Sequence, residues 1–150
     1  MGNAMNEQNL LAIAVGSRSK ESQAPISDCL AKLLDDERWS VSPPKIVSVA
    51  EEFESEDRSI STHDLLAVQL TLPAIGIGAK IDEVAEGAAL KDVEALVRCL
   101  AQVSKVLNAE WEIELDGGGI GSIVKGEISK SIKIGLLEEW RRYLGSGDLR

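Results

Sequence analysis

The sequence predicts an α+β fold, a two-layer sandwich in which a largely antiparallel sheet carries its helices on one face. Three observations lead there. Two long stretches repeat their apolar residues at helical spacing, while several shorter ones are continuous apolar runs or alternate apolar and polar residues. Successive strand-like segments follow one another across short links, which suits antiparallel neighbours rather than the long crossovers of parallel pairs. The predicted order is βαββαββα.

Leu10 to Val15 is a short apolar run ending at Gly16, the pattern of a buried strand. Ser17 to Ser22 is polar and reads as a loop. Pro25 then stands where a first-turn proline would, followed by Ile26, Cys29, Leu30 and Leu33 at i, i+3, i+4 and i+7, a short helix ending near Asp36. Pro43-Pro44 breaks the chain, Lys45 to Ala50 reads as a strand, and the charged run Glu51 to Ser61 as an exposed loop. Leu66, Val68, Leu70 and Leu72 share one face of the next strand, which Pro73 ends. The longest helix follows, with Leu90, Val93, Leu96, Val97, Leu100, Val103 and Leu107 in one stripe. Trp111, Ile113 and Leu115 alternate with Glu110, Glu112 and Glu114, a strand with one wet face. Asp116-Gly117-Gly118-Gly119 supplies turn chemistry, and Ile120 to Ile128 reads as the return strand. Ser131 is placed to cap a last helix bearing Ile132, Leu136, Trp140, Tyr143 and Leu144, with Gly145 as its stop. Residues 1–4 read as a cloning remnant and 5–150 as a single α+β domain, a size near the commonest for domains.

Charge and aromatic content narrow the function. With 25 acidic against 16 basic residues the net charge is −9, which disfavours nucleic acid and anionic membranes as partners. Trp39, Trp111, Trp140, Tyr143 and Phe53 are the only aromatics, too few for a base-stacking platform. No run approaches the ~20 apolar residues of a membrane span. Cys29 and Cys99 lie in helical patterns without a CxxC partner, so two reduced core thiols and a cytoplasmic protein are expected.

Catalytic, cofactor and metal motifs are not evident. Gly117-Gly118-Gly119-Ile120-Gly121 follows a strand but precedes another strand, not a phosphate-binding helix. Ile75-Gly76-Ile77-Gly78-Ala79-Lys80 lacks the spacing of a P-loop. His63 is the single histidine, and it has no ligand partners at a recognisable spacing. Gly16-Ser17-Arg18-Ser19-Lys20, at a strand-to-helix turn, groups hydroxyls, cations and backbone N–H groups that suit an anion. It resembles the phosphate loop of flavodoxin-like flavin reductases, which implies a small phosphate- or flavin-binding enzyme as an alternative. The main expectation is nevertheless a protein without enzymatic activity and without a cofactor.

The acidity is concentrated. From Asp35 to Asp64 there are nine carboxylates against Arg38, Lys45 and Arg58, so this segment alone carries −6. Opposite fields speed encounter and favour a basic partner. Asp35, Asp36, Glu37, Trp39, Glu51, Glu52, Glu54, Glu56 and Asp57 are therefore the expected partner-binding residues, with Trp39 as a candidate anchor. The block running from Gly121-Ser122-Ile123-Val124-Lys125-Gly126-Glu127 through Gly135-Leu136-Leu137-Glu138-Glu139-Trp140 resembles the closing strand and helix of polymorphic-toxin immunity proteins. That resemblance implies a bacterial immunity protein that neutralises a cognate basic toxin. A type III secretion chaperone, similarly small and acidic and binding an effector as a homodimer, is the second alternative.

Overall fold

The computed structural model describes residues 8–16, 19–72 and 83–142. Six strands form one sheet: β1 (Gln8–Val15), β2 (Lys45–Glu54), β3 (Ile60–Leu72), β4 (Glu110–Leu115), β5 (Gly118–Val124) and β6 (Glu127–Ile128). Their spatial order is β2-β3-β1-β4-β5-β6, and every neighbouring pair is antiparallel. The central strand β1 pairs with β3 on one side (Ala12 opposite Val68) and with β4 on the other (Ala12 opposite Ile113). Two long helices, α1 (Lys20–Asp36) and α2 (Glu83–Leu107), and a short third one, α3 (Lys130–Ile132), complete the α+β fold.

Side-chain alternation decides which face the helices cover. Leu10, Ala12 and Ala14 of β1 bury with Leu66, Val68, Leu70 and Leu72 of β3 and Trp111 and Ile113 of β4. Against them pack Ile26, Leu30 and Leu34 of α1, and Leu90, Val93, Leu96, Val97, Leu100 and Val103 of α2. Residues of opposite parity, Ile13, Leu65 and Ala67, form a smaller cluster with Leu11, Val47 and Val49. The α+β sandwich and its predominantly antiparallel sheet are thus as the alternation predicts.

Four segments differ from their sequence reading, the last helix among them: Ser131 lies inside α3, whose N-cap position is Ser129. The charged run 51–61 is not a loop: β2 continues to Glu54 and β3 begins at Ile60, with Glu51 opposite His63 and Glu54 opposite Ile60. Strands with two wet faces need no apolar alternation, because the ladder's backbone hydrogen bonds do not depend on side-chain polarity. The connection shrinks to residues 55–59, held by Ser55, Asp57 and Ser59. Helix α1 starts earlier than Pro25 suggests, because Ser19 and Ser22 form a reciprocal capping box and place the proline inside the helix. Ile120 to Ile128 is not one strand, since Lys125 (φ 52°) and Gly126 (φ 79°) turn the chain back between β5 and β6. The proline expected to end β3, the Gly76–Lys80 segment, and Tyr143 to Gly145 lie outside the described residues.

Two polar contacts tie the layers together. Asp92 of α2 is 1% exposed, and its carboxylate accepts from the backbone N–H groups of Ser40 (2.6 Å) and Val41 (2.8 Å). It thereby fixes the link from α1 to β2 onto α2. At the other end, the Gly126 N–H donates to the fully buried Ser104 hydroxyl (2.9 Å), seating the β5–β6 turn on α2. Asp92→Ala removes the acceptor for both N–H groups and is expected to lower stability by about 2 kcal/mol. Asp92→Asn, which keeps a carbonyl acceptor, should lose about half as much, as read from urea midpoints at unchanged slope.

Candidate functional site

A pocket of about 210 Å³ lies at the end of the sheet where β1 begins. Gln8 and Leu10 of β1, Leu72 of β3 and Leu115 of β4 form its floor, Val93 of α2 one wall, and Leu136 and Trp140 the other. Register explains the floor, because Gln8 faces Leu72 across one ladder and Leu10 faces Leu115 across the next. The second wall depends on an unusual backbone. After α3 the chain runs as a π-helix over Lys133–Glu138, where the Glu139 N–H reaches back to the Ile134 carbonyl, and helix resumes through 142. Such wide turns are rare and are often found at functional sites. Here it brings Leu136, Leu137 and Trp140 against the core together. Arg141 holds this segment to α2, its Nε and Nη2 at 2.8 and 2.6 Å from the Glu94 carboxylate.

Among the described residues, the lining side chains are apolar apart from the amide of Gln8 and the indole of Trp140. Trp140 is 8% exposed, and its buried Nε1 has no hydrogen-bond partner among the described residues. A buried donor without an acceptor is disfavoured by about 1–3 kcal/mol. Trp111 Nε1 is also without a partner, but that indole is fully buried on β4 within the main core. None of the seven lining residues carries an ionisable side chain. The sequence marks Trp140 and Leu136 only as a helix's apolar side; the void beside them exists because three strands, α2 and the π-helical segment fail to fill their junction.

The nine residues expected to bind a partner are not brought onto one surface. Asp35 and Asp36 are exposed at the C-terminal end of α1, with Glu37 as its cap residue, ion-paired to Arg98 (3.7 Å). Trp39 is half-buried against the core, and its Nε1 donates to the Leu34 carbonyl (2.9 Å). It packs inward and is not a free anchor. Glu51, Glu52, Glu54, Glu56 and Asp57 lie separately on the β2–β3 hairpin, where alternation sends neighbouring side chains to opposite faces. At its tip, Ser59 and Ser55 hydroxyls and the Ser59 N–H donate to Asp57 and hold its carboxyl down to about 2. His63 sits on β3 near the Ser61 hydroxyl (3.3 Å), not in a loop.

In the Gly16–Lys20 turn, Ser17 and Arg18 lie outside the described residues. The Ser22 N–H at the start of α1 already bonds the Ser19 hydroxyl (3.1 Å), so the helix cap itself uses a donor that an anion would need. Among the described residues there is no group of three or more potential metal ligands, and no helix is long and apolar enough to cross a membrane. Both cysteines are free; Cys99 is buried and Cys29 half-buried.

No protein-family model and no curated protein matches the chain. Among solved structures, a phage SAM lyase in complex with S-methyl-5′-thioadenosine is similar over 83% of this chain and 90% of that one, with 9% identity and a TM-score of 0.35. A likeness this distant transfers neither activity nor ligand. The division of the nine acidic and aromatic positions between a helix end, a core contact and a hairpin removes the single docking face on which the toxin-inhibitor expectation stood. The expectation of a toxin inhibitor acting through one acidic face is corrected accordingly.

Two measurements check the local chemistry. Because Asp57 is held below the ordinary carboxyl value of 3.8, its contribution to stability is complete above that pH and disappears as pH falls toward about 2. The Asp57 carboxyl resonance should therefore titrate near 2, and in Ser59→Ala it should move back toward 3.8. Burial, with a smaller effect from Glu37, pushes the Cys99 thiol up to about 11. A thiol reagent at neutral pH should thus label Cys29 in the folded protein and reach Cys99 only after unfolding.

Proposed function

We propose that this chain is a small-molecule-binding domain whose ligand is a compact apolar molecule carrying one hydrogen-bond acceptor. The observation that carries the reading is an apolar pocket walled by Trp140, whose buried indole N–H has no partner among the described residues; a small shift of the ring on binding opens that donor to the ligand's acceptor. An empty apolar cavity of ~150 Å³ accommodates benzene. A pocket of about 210 Å³ suits a substituted ring or a short branched chain. Burial of the ligand's hydrocarbon supplies the affinity, and the indole donor selects its orientation. The π-helical segment supports the same reading, because it is the backbone feature that sets Leu136 and Trp140 on that wall.

Acetophenone and ethylbenzene test it, being close in shape and different in the acceptor. Acetophenone should bind about fivefold more tightly, the worth of about 1 kcal/mol for one hydrogen bond, and should shift the Trp140 indole proton. Trp140→Phe should abolish the difference between the two probes while leaving the fold intact. Leu136→Phe, which fills the pocket, should weaken both probes together. Equal affinities in the unaltered protein, or an unmoved Trp140 indole proton, would overturn the reading.

A further inference from the structure

The two edges of the sheet carry opposite charge. Beyond the Ile13–Ala67 pair, β3 leaves β1 behind, so residues 50–54 and 60–64 project as a two-stranded arm. The arm holds Glu51, Glu52, Glu54, Glu56 and Asp57, all exposed, against Arg58 alone near its tip. Ile60, 66% exposed, adds an apolar side chain among them. At the opposite edge, a groove along β5, β6 and the start of α3 is lined by Lys125, Lys130 and Lys133 together with Val124 and Ile128. Lys105 of α2 stands beside it, its Cβ 3.0 Å from where a side chain on Gly126 would begin. These four lysines are exposed, Glu127 is the one acid lining the groove, and among the described residues none of the four is ion-paired. In a chain of net charge −9, such a basic groove is the local exception.

We infer that this groove docks the acidic arm of a second copy of the chain. The paired strands hold the arm off the groove of its own chain, since β3 and β5, the nearest strands of the two, are separated by β1 and β4, about 14 Å at ~4.8 Å per strand. Between copies, Glu52 and Glu54, on the same face of the arm as Ile60, meet the lysines while Ile60 meets the apolar groove residues Val124 and Ile128. At physiological salt, charges further apart than ~8 Å are screened, so the like net charges of two copies repel weakly while the touching opposite charges still attract. Both a reciprocal pair and a growing chain satisfy the contact, and the limiting mass distinguishes them.

Sedimentation velocity at 0.15 M salt on three proteins tests the contact. The unaltered chain should gain mass with concentration. An arm variant (Glu51→Lys, Glu52→Lys, Glu54→Lys) and a groove variant (Lys125→Glu, Lys130→Glu, Lys133→Glu) should each associate at least about tenfold more weakly alone. Mixed in equal amounts they should associate again, because each then offers the charge the other lacks; all six positions are exposed, and circular dichroism confirms that both variants remain folded. An unaltered chain that stays monomeric up to millimolar concentration overturns the inference, as does a mixture that fails to associate. Variants that associate as strongly as the unaltered chain overturn it too.

Discussion

Everything placed in this molecule depends on β1 being hydrogen-bonded on both sides. As the one strand shared by the β3 and β4 ladders, it joins the sheet's two halves, and its start and stop set what lies at each end. Where it begins, Gln8 and Leu10 become the floor of the apolar pocket. Where its pairing with β3 stops, at Ile13, the β2–β3 hairpin loses its third strand and becomes a projecting arm. A central strand of only eight residues between a thirteen-residue and a six-residue neighbour leaves such unmatched ends as a matter of geometry.

Coverage of one sheet face adds the second constraint. The helices bury the even-numbered side chains of β1 and β3, so the layers must be held in register by groups that tolerate that interior. Asp92 does so with both carboxylate oxygens engaged by backbone donors, and Ser104 does so with its hydroxyl. Among the described residues both of these buried polar side chains have partners, whereas the buried indole N–H groups of Trp111 and Trp140 have none, and of the two only Trp140 lines the pocket. Close packing at Gly121 points the same way. A Cβ there would lie 2.5–2.6 Å from Ser129, Ile132 and Ser131, so α3 reaches β5 only because this residue has no side chain.

Much of this fold is legible in the sequence, and the reason is periodicity. The stripe from Leu90 to Val103 and the alternations of 66–72 and 111–115 each name a buried face, and those faces meet as read. Legibility fails where periodicity carries no information. The hairpin from Glu51 to Ser61 has wet faces and few apolar residues, so its charge reads as a loop although its backbone is paired. Pro25 reads as a helix start because a first turn is its least costly place, whereas the Ser19–Ser22 cap fixes the start earlier. Trp39 beside three carboxylates looks like a surface anchor until its indole is seen donating to the Leu34 carbonyl.

By itself, then, the sequence determined the sandwich class, the order of the main elements and the excess of negative charge, because these follow from local spacing and composition. Tertiary structure alone decided where that charge goes and what it faces. The carboxylates between Asp35 and Asp57 are one cluster along the chain and two in space, while Lys105, scattered from Lys125, Lys130 and Lys133 in sequence, is gathered beside them at one sheet edge. The pocket is likewise a property of the packed layers. A void has no residue of its own; it is the volume that Leu10, Val93, Leu136 and Trp140 fail to fill when strand register and a π-helical turn bring them together.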